Sequence, residues 1–319
     1  MKRVAGLLFV LILMLPLSVG AESYLVPVGE LVGLNLRDNT VTVAAFDDLR
    51  GKNARDGGLR IGDKIEAVNG SPVADAGQVR EILEKSTGNV ELQILRGSKR
   101  ATICLEPEDR DGSRVLGVYL RQGISGIGTV TWYDPDTGRF GALGHGVSTS
   151  KDCLMKMTSG NIYPAEVLCA QRGRVGGPGL LKGKALSATP LGTVEQNTPQ
   201  GLFGTSTHRW EGMALPVGTW EGLHTGKACI RSTVSGGEPR EYSVEILKIY
   251  PKDRTTGRNF LLKVTDPELI ARTGGIVQGM SGSPIIQDGR LIGAVTHVLV
   301  NDPTMGYGIF IESMLNAAA

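Results

Sequence analysis

The stretch GMSGSP, at residues 279–284, sets a serine among small residues in the way that nucleophilic catalysis requires. A serine hydroxyl is a weak nucleophile, so it needs a base that takes its proton and N–H donors that stabilise the oxyanion. Gly279 lets the chain turn so that its own N–H group and that of Ser281 point into one small hole, and Gly282 leaves room for a scissile carbonyl. The stretch predicts a nucleophilic Ser281 with Gly279 and Ser281 as the oxyanion hole. The alternative is a tight turn that leads into a buried strand.

The base should be a histidine, and the chain has four. His145 follows a strand in the Gly-flanked sequence GALGHGVS, which exposes its side chain, and we select it as the general base. A plain turn residue is the alternative. His297 lies in the apolar sequence GAVTHVLV, where a buried, hydrogen-bonded core histidine is expected. His208 and His224 lie in Gly-rich or charged loops that offer no group to orient them.

The acid that orients the base is harder to choose from the sequence. Asp266, in LLKVTDPELI, follows an apolar strand and precedes a proline, which suits a carboxylate fixed at the end of a strand. Asp134 and Asp136, in WYDPDTG, are typical of a turn, and Asp302 in VNDPT is a further rival. Because triads are recognised by geometry and not by sequence order, spacing alone leaves the choice open.

The composition limits the class of protein that could carry this chemistry. The 319 residues include 34 basic and 32 acidic side chains without a basic stripe, so no nucleic-acid partner is expected. Glycine is abundant, at 45 residues, and aromatic side chains make up only 5%. Short apolar runs punctuated by glycine, above all from residue 115 onward, predict a mainly β fold with a β-barrel or a pair of barrels. The length allows two domains.

The start of the chain is typical of a segment that directs export. Lys2 and Arg3 precede an apolar stretch, and Val19 and Ala21 occupy the −3 and −1 positions of a small-residue cleavage site. We predict that residues 1–21 are a signal peptide or an N-terminal membrane anchor. The length of the apolar stretch lies between that of a signal h-region and that of a spanning helix, and Pro16 weakens the interpretation as an anchor. The protein is therefore expected to be exported.

The four cysteines form no recognisable metal or redox pattern. Export permits disulfides, but four cysteines allow three pairings and the sequence favours none. The spacing matches no zinc motif, so neither a metal nor a cofactor is expected. Most of the four are expected to be small buried hydrophobic residues: Cys104, Cys153, Cys169 and Cys229.

Residues 30–107 combine strands, one helix and a hairpin. The sequence GLRIGDKIEAVNG predicts a strand at Lys64–Val68 with Ile61 turned inward, and Asp75 predicts the N-cap of the following helix. This order resembles a PDZ domain of the bacterial protease type. Such domains bind an extended peptide beside a helix and hold its terminal carboxylate on backbone N–H groups. The resemblance implies a carboxylate loop, with an ordinary strand as the alternative, at Leu31, Val32, Gly33 and Leu34.

Several motifs together resemble the SpoIVB peptidase family, the stage IV sporulation protein B. They are GIGTVTWYDPDTGRFGALGHGVS, NTPQGLFG and KVTDPELIARTGGIVQGMSGSPIIQDGRLIGAVTHVLVNDPTMGYGIFIE, preceded by the PDZ-like segment. The resemblance implies a chymotrypsin-like β-barrel serine peptidase domain at residues 115–319, which follows the PDZ domain after the polar linker EPEDRDGS. It further implies a catalytic triad of His145, Asp266 and Ser281, with Ser283 as a structural residue.

The family resemblance also implies a biological setting. Family members are exported into the space between forespore and mother cell. There they cleave the extracytoplasmic part of a membrane-bound regulator of an intramembrane metalloprotease, which leads to activation of a late sigma factor. They also cleave themselves near the N-terminus. Two other functions stay open: a catalytically inactive PDZ-based binding protein, and a quality-control protease of the HtrA kind, in which the PDZ domain follows the protease domain.

Overall fold

A computed structural model describes residues 23–149, 153–252 and 256–319 of the chain. The predicted signal segment at residues 1–21 lies outside the described residues. Within those three ranges, no helix has the length and apolar character needed to cross a membrane. The described chain is mainly β, which confirms the prediction from composition.

The elements are numbered here in chain order. The strands are β1 (Tyr24–Pro27), β2 (Leu31–Phe46), β3 (Lys64–Val68), β4 (Ser71–Pro72), β5 (Val90–Arg96), β6 (Lys99–Leu105), β7 (Glu108–Arg110), β8 (Ser113–Val115), β9 (Val118–Tyr133), β10 (Arg139–Ala142), β11 (Ser159–Gln171), β12 (Leu180–Ala185), β13 (Gly192–Thr198), β14 (Gly201–Ser206), β15 (Leu215–Pro216), β16 (Gly226–Ser232), β17 (Arg240–Ile249), β18 (Phe260–Val264), β19 (Pro284–Gln287), β20 (Arg290–Leu299) and β21 (Asp302–Phe310). The helices are α1 (Lys52–Asp56), α2 (Ala76–Lys85), α3 (Pro267–Thr273) and α4 (Ile311–Ala318), with a 3₁₀ turn at Trp220–Gly222.

Six strands close into a first barrel. In hydrogen-bonded order they are β2, β9, β10, β14, β13 and β11, and β11 pairs again with β2. Leu31 lies opposite Thr129 where β2 meets β9, and Leu36 lies opposite Gly160 where β2 meets β11. Buried apolar side chains, with Phe140 fully enclosed, fill the interior of this barrel.

Six further strands form a second closed barrel, in the order β16, β17, β18, β21, β20 and β19. Strand β17 shows how the sequence specifies it, because Tyr242, Val244 and Ile246 are buried and the residues between them are exposed. This two-residue period is that of a strand with one face on a core. Inside the barrel, Phe260 and Phe310 pack edge to face with ring centroids 4.9 Å apart.

A smaller α/β module, residues 41–122, has its own core. Its β3 strand and α2 helix occur where the sequence predicts them. At the start of α2, Asp75 Oδ1 accepts a hydrogen bond of 2.8 Å from Gln78 N, and the helix buries Val79 and Leu83 on the module core. The predicted N-cap is therefore present.

One ion pair stabilises the turn before β3. The carboxylate of Asp63 is buried and accepts two hydrogen bonds of 2.7 Å from the guanidinium of Arg96. Burial alone would raise the pKa of Asp63, but Arg96 and the N–H of Arg60 lower it below its usual value. The prediction that Ile61 turns inward is wrong, since 65% of this residue is exposed in the same turn.

The module and the first barrel share their two longest strands. β2 and β9 have 16 residues each, and both run out of the barrel into the module. Residues 31–36 pair with 124–129 in the barrel, whereas residues 41–46 pair with 118–122 in the module. The domain limits expected at 30–107 and 115–319 therefore do not hold, because the barrel begins with β2.

Two local predictions also fail, because the residues concerned form hydrogen-bonded strands and not loops. The sequence EPEDRDGS is not a free linker, since β7 and β8 form a hairpin whose turn contains Asp111 at φ 53° and Gly112 at φ 84°. The loop expected at Leu31, Val32, Gly33 and Leu34 is a buried stretch of β2 that is bonded to β9 on one side and β11 on the other. It offers no free edge to a peptide.

Candidate active site

A cleft between the two barrels brings Ser281 and His145 together. Ser281 belongs to the loop before β19 in the second barrel, and His145 belongs to the loop after β10 in the first. Both line one cavity of about 540 Å³. Its walls are largely apolar, with side chains that include Leu34, Leu36, Ile124, Ile127, Val277 and Val298.

The loop that carries Ser281 depends on two glycines and on a threonine of the first barrel. Gly279 has φ 101° and Gly282 has φ 98°, both in the region that side chains disfavour. A Cβ at Gly282 would lie 2.1 Å from the carbonyl oxygen of Thr129. Thr129 N donates to Ser281 O at 3.2 Å, and Thr129 Oγ1 donates to Gly279 O at 2.8 Å. Thr129 therefore fixes the loop from across the cleft, and its place in the quoted motif GIGTVTWYDPDTGRFGALGHGVS was the available signal for its importance.

The predicted oxyanion donors are available. Met280 N donates to Val277 O at 3.1 Å, and Gly282 N donates to Val295 O at 2.8 Å. Among the described residues, by contrast, neither Gly279 N nor Ser281 N has a hydrogen-bond acceptor. Two unbonded N–H groups beside a serine are the arrangement that stabilises a developing oxyanion.

The His145 loop is held in a strained turn. Leu143 and the glycine after it both have φ 69°, which is uncommon for a residue with a side chain. Asn197 fixes the next part of the loop: Val147 N donates to its Oδ1 at 2.9 Å, and its Nδ2 donates to Val147 O at 2.8 Å and to Met155 O at 3.0 Å. Asn197 lies in the quoted motif NTPQGLFG, which was the available signal for its importance.

The surroundings of His145 favour the neutral form of its imidazole. Its Nδ1 lies 3.0 Å from the carbonyl oxygen of Gly146. Because a carbonyl only accepts, Nδ1 carries the proton when this bond forms and Nε2 keeps its lone pair. Burial lowers the pKa of His145 below 6.5, and the bond to Gly146 offsets part of that shift. The imidazole is therefore unprotonated at neutral pH.

The two serines of the loop differ in role. Ser281 is half-buried, and its Oγ donates to the carbonyl of Thr296 at 2.9 Å. Ser283 is buried, and its Oγ bonds to Ser232 Oγ at 2.9 Å within the second barrel. Of these two hydroxyls, the one at Ser281 faces the cleft.

Asp266 does not line the cleft. It is the N-cap of α3, where its Oδ1 accepts from Leu269 N at 2.9 Å and its Oδ2 accepts from Ser243 N at 3.3 Å. The structure thus brings two of the three predicted triad residues together and places the third at a helix start. The rival acids cap turns: Asp134 Oδ1 accepts from Asp136 N at 2.9 Å, and Asp302 Oδ1 accepts from Thr304 N at 3.0 Å.

The other histidines are distributed differently from the expectation. His297 is not a core residue but is exposed at the cleft, with its ring centroid 5.5 Å from that of His145. Its sequence neighbours on β20 are apolar because they face the barrel core, which concealed this placement. His208 packs edge to face on Trp210, and His224 Nε2 lies 2.8 Å from Asp288 Oδ2 at the surface.

The expectation that most cysteines are buried is wrong. All four are free thiols; Cys104, Cys153 and Cys169 are exposed and Cys229 is partly buried. Burial, followed by the nearby charge of Glu241, raises the pKa of the Cys229 thiol to about 11. Over the described ranges, no group of three or more His, Cys, Asp and Glu side chains could hold a metal ion.

Comparison with known proteins assigns the chain to a family. Residues 112–315 match the family model of SpoIVB peptidase S55. The putative zinc metalloprotease LL2128 of Lactococcus lactis subsp. lactis (strain IL1403) is 29% identical over 153 residues, 46% of this chain and 34% of that protein. The chain thus spans about a third of the length of this curated relative.

Two solved structures match the chain with low TM-scores. The Rv3671c protease in its inactive form has a TM-score of 0.35 at 15% identity, over 61% of this chain and 85% of that one. A serine-to-alanine mutant of Rv3671c from M. tuberculosis H37Rv has the same TM-score and identity and is covered to 82%. Because the family model spans more than half of the sequence and includes both His145 and Ser281, the chain belongs to the SpoIVB peptidase S55 family of serine peptidases.

Proposed function

We propose that the protein is a serine endopeptidase in which Ser281 is the nucleophile and His145 the general base. His145 Nε2 takes the Ser281 proton as Oγ attacks a peptide carbonyl, and the N–H groups of Gly279 and Ser281 bind the oxyanion. His145 then gives the proton to the leaving amine, and water hydrolyses the acyl-enzyme. The observation that carries the proposal is that both side chains and two unbonded N–H groups meet in one cleft.

The hydroxyl is not yet bonded to the base in this structure. Ser281 Oγ donates to the carbonyl of Thr296, and catalysis requires it to exchange that acceptor for His145 Nε2. Apo enzymes often have catalytic hydrogen bonds that tighten only when substrate binds. Entry of a peptide into the apolar cleft is the event we expect to drive the exchange.

Matched serine variants test the proposal. Ser281→Ala should abolish both self-cleavage and cleavage of a peptide substrate, with a loss of several orders of magnitude. Ser283→Ala removes a neighbouring hydroxyl outside the cleft and should retain cleavage. If Ser281→Ala cleaves at the wild-type rate, the proposal is wrong. A folded wild-type protein that cleaves nothing would favour the inactive peptide-binding protein.

The lining of the cleft limits the substrate. None of the described residues that line it is Asp, Glu, Lys or Arg. A charged substrate side chain would lose its hydration there without gaining a partner. We expect cleavage beside apolar residues. In a peptide library, peptides with a charged residue at that position should be cleaved at least about tenfold more slowly.

A second groove supports peptide capture by the α/β module. A cavity of about 300 Å³ lies between α2 and the Val118–Leu120 part of β9. In the described pairings this part of β9 bonds only to β2, so its other edge faces the groove. The floor is apolar and four arginines surround it: Arg50, Arg80, Arg110 and Arg114. The carboxylate loop was expected at residues 31–34, which read LVGL, and a similar sequence, VLGV, lies beside the groove at Val115–Val118.

These features favour an extended peptide with a free carboxylate. The exposed side chain of Arg80 is suited to a test, because its replacement leaves the module core untouched. Arg80→Glu should weaken binding of a peptide with a C-terminal carboxylate, measured by fluorescence anisotropy. Lys99→Glu, an equal charge change on β6 away from the groove, should leave binding unchanged. Equal binding by both variants would remove this groove from the proposal.

The biological setting is proposed from family membership and from the predicted export segment. The protein would be secreted into the space between forespore and mother cell, cleave itself near the N-terminus, and cut the extracytoplasmic part of a membrane-bound regulator of an intramembrane metalloprotease. Activation of a late sigma factor would follow. N-terminal sequencing of the protein recovered from sporulating cells tests the first two steps, and an unprocessed N-terminus would contradict them.

A further inference from the structure

A second cavity, of about 820 Å³, lies next to the cleft and is called the side groove below. Leu34, Gly126 and Ile127 line both cavities, which are therefore joined at this point. The lining of the side groove continues with Ser125 of β9 and with residues of β12, among them Lys182. A peptide held in the cleft can thus extend into the side groove.

Two strands with an unpaired edge contribute to the side groove. In the described pairings, residues 124–127 of β9 bond only to β2, so their second edge has no partner strand. β12 bonds to β11, and its other edge is occupied only at the start, where Leu181 N donates to Gln278 O at 2.8 Å. An unpaired edge binds an extended peptide through main-chain hydrogen bonds. The side groove is therefore suited to a peptide strand.

The side groove differs from the cleft in its polar groups. Asn35 and Tyr163 add an amide and a hydroxyl to its lining. Among the described residues that line it, Lys182 alone is charged, and this side chain is exposed. The next lysine on β12, Lys184, is paired with Glu166 at 3.0 Å, whereas Lys182 has no ion-pair partner in the described part of the chain. Its ammonium group is available to attract a carboxylate.

We propose that the side groove binds the substrate beyond the scissile residue as an added strand, and that Lys182 selects an acidic side chain there. The substrate is then an extended peptide with an apolar residue at the scissile bond and Asp or Glu a few residues away. This inference rests on the proposed peptidase function and specifies the substrate of the same site.

The course of β9 sets the spacing between the two substrate features. Thr129 N donates to Ser281 O, so Thr129 marks the point on β9 that lies beside the nucleophile. Ile127 and Ser125 are two and four residues further back along β9, about 7 and 13 Å away at roughly 3.3 Å per residue. A substrate strand beside β9 covers the same distance. Its third to fifth residues, counted from the scissile bond on one side, therefore lie in the side groove.

A length series tests the path into the side groove. Peptides with leucine at the cleavage site, otherwise built of alanine and serine, are extended one residue at a time on either side. We expect kcat/KM of the wild type to rise about tenfold when the third to fifth residues are added on one side, and to change little on the other. Absence of a rise on both sides, or an equal rise on both, would overturn the proposal.

A glycine at the join between the two cavities provides the variant for this series. No heavy atom lies within 4 Å of the position of a Cβ at Gly126, so Gly126→Val fits the strand but fills the join. This variant should lose the gain in kcat/KM from longer peptides. Gly237→Val is the matched control, because Gly237 is equally open and lies outside both cavities, and it should keep the gain. A full gain in Gly126→Val would contradict the path.

A charge scan tests Lys182. Glu or Lys is placed at the third, fourth or fifth residue on each side of the scissile bond. The wild type should cleave the Glu peptides about threefold faster than the Lys peptides on the side that gained from length, and Lys182→Glu should reverse this preference. Lys263→Glu, an equal charge change at an exposed residue of β18, should leave it unchanged. The same preference in wild type and Lys182→Glu, or no preference in either, would overturn the role of Lys182.

A binding measurement separates this inference from the proposed function. Ser281→Ala should bind the peptides of the scan without cleaving them, and fluorescence anisotropy should show about threefold tighter binding of the Glu peptides than of the Lys peptides. The added change Lys182→Glu should remove that difference. If the wild type cleaves nothing but the difference is present, the peptidase proposal fails and the side groove stands. If the wild type cleaves and neither length nor charge matters, the side groove alone fails.

Discussion

The amide variant of Asp266 distinguishes a catalytic acid from a helix cap. In the structure, Asp266 accepts hydrogen bonds from Leu269 N and Ser243 N and does not line the cleft. An asparagine can still cap α3 through its side-chain oxygen, so Asp266→Asn loses one of the two bonds, about 1 kcal/mol of unfolding free energy. Asp266→Ala loses both, about 2 kcal/mol.

The expected effect on turnover is small in comparison with that of a true triad acid. Changing such an acid to its amide lowers kcat about 10⁴-fold, which corresponds to about 5 kcal/mol of barrier. We predict instead that kcat of Asp266→Asn stays within about threefold of wild type, because this carboxylate orients nothing in the cleft.

The assay is steady-state cleavage of a peptide at neutral pH, with thermal unfolding of the same preparations. Asp134→Asn, which alters another capping carboxylate in a turn, is the control. A 10⁴-fold loss of kcat in a stably folded Asp266→Asn protein would refute the reasoning. It would show that the working enzyme rearranges to bring Asp266 to His145. The protein would then form the triad that the family resemblance implies.

Three further predictions follow from the geometry. Gly282→Ala should cost at least about 2 kcal/mol of stability and lower activity, since its Cβ would lie 2.1 Å from the carbonyl oxygen of Thr129; chemical denaturation and kcat check both. The acid limb of the pH profile of kcat/KM should have its midpoint below 6.5, because burial lowers the pKa of His145 and only the neutral imidazole is a base; a midpoint above 7 would contradict this. Arg96→Ala should lower the unfolding free energy of the module by about 1–3 kcal/mol, because it leaves the Asp63 carboxylate buried without its partner. The loss should fade as the pH falls below 3.8, since the pKa of Asp63 is lower in the folded than in the unfolded protein. Urea unfolding at pH 7 and pH 3 measures both effects.

Local patterns were sufficient to single out two side chains that the structure places in one cleft. Ser281 and His145 were predicted from glycines that allow particular turns, and such preferences act over a few residues. The helix after Asp75 was predicted for the same reason, because its N-cap and apolar spacing are local. In each case the physical cause lies within one turn of the chain.

The failures involve pairing between distant parts of the chain. β2 and β9 continue from a barrel into the α/β module, and no feature of their sequence marks where the partner strands change. The pairing of β20 with β21 shifts register between Val295 and His297, and His297 faces the cleft. Because this shift depends on a partner strand, the sequence around His297 showed only its apolar neighbours, which indicated a core position. Asp266 precedes a proline, which fits a strand end but equally fits the N-cap of a helix with proline in its first turn.

The most direct test of the central claim is to map the adduct of a fluorophosphonate probe by mass spectrometry. If Ser281 is activated by His145, the probe should label Ser281 in the folded wild-type protein, fail to label Ser281→Ala, and react at least about 100-fold more slowly with His145→Gln. Labelling of Ser283 instead, or a labelling rate that is unaffected by the His145 change, would contradict the account.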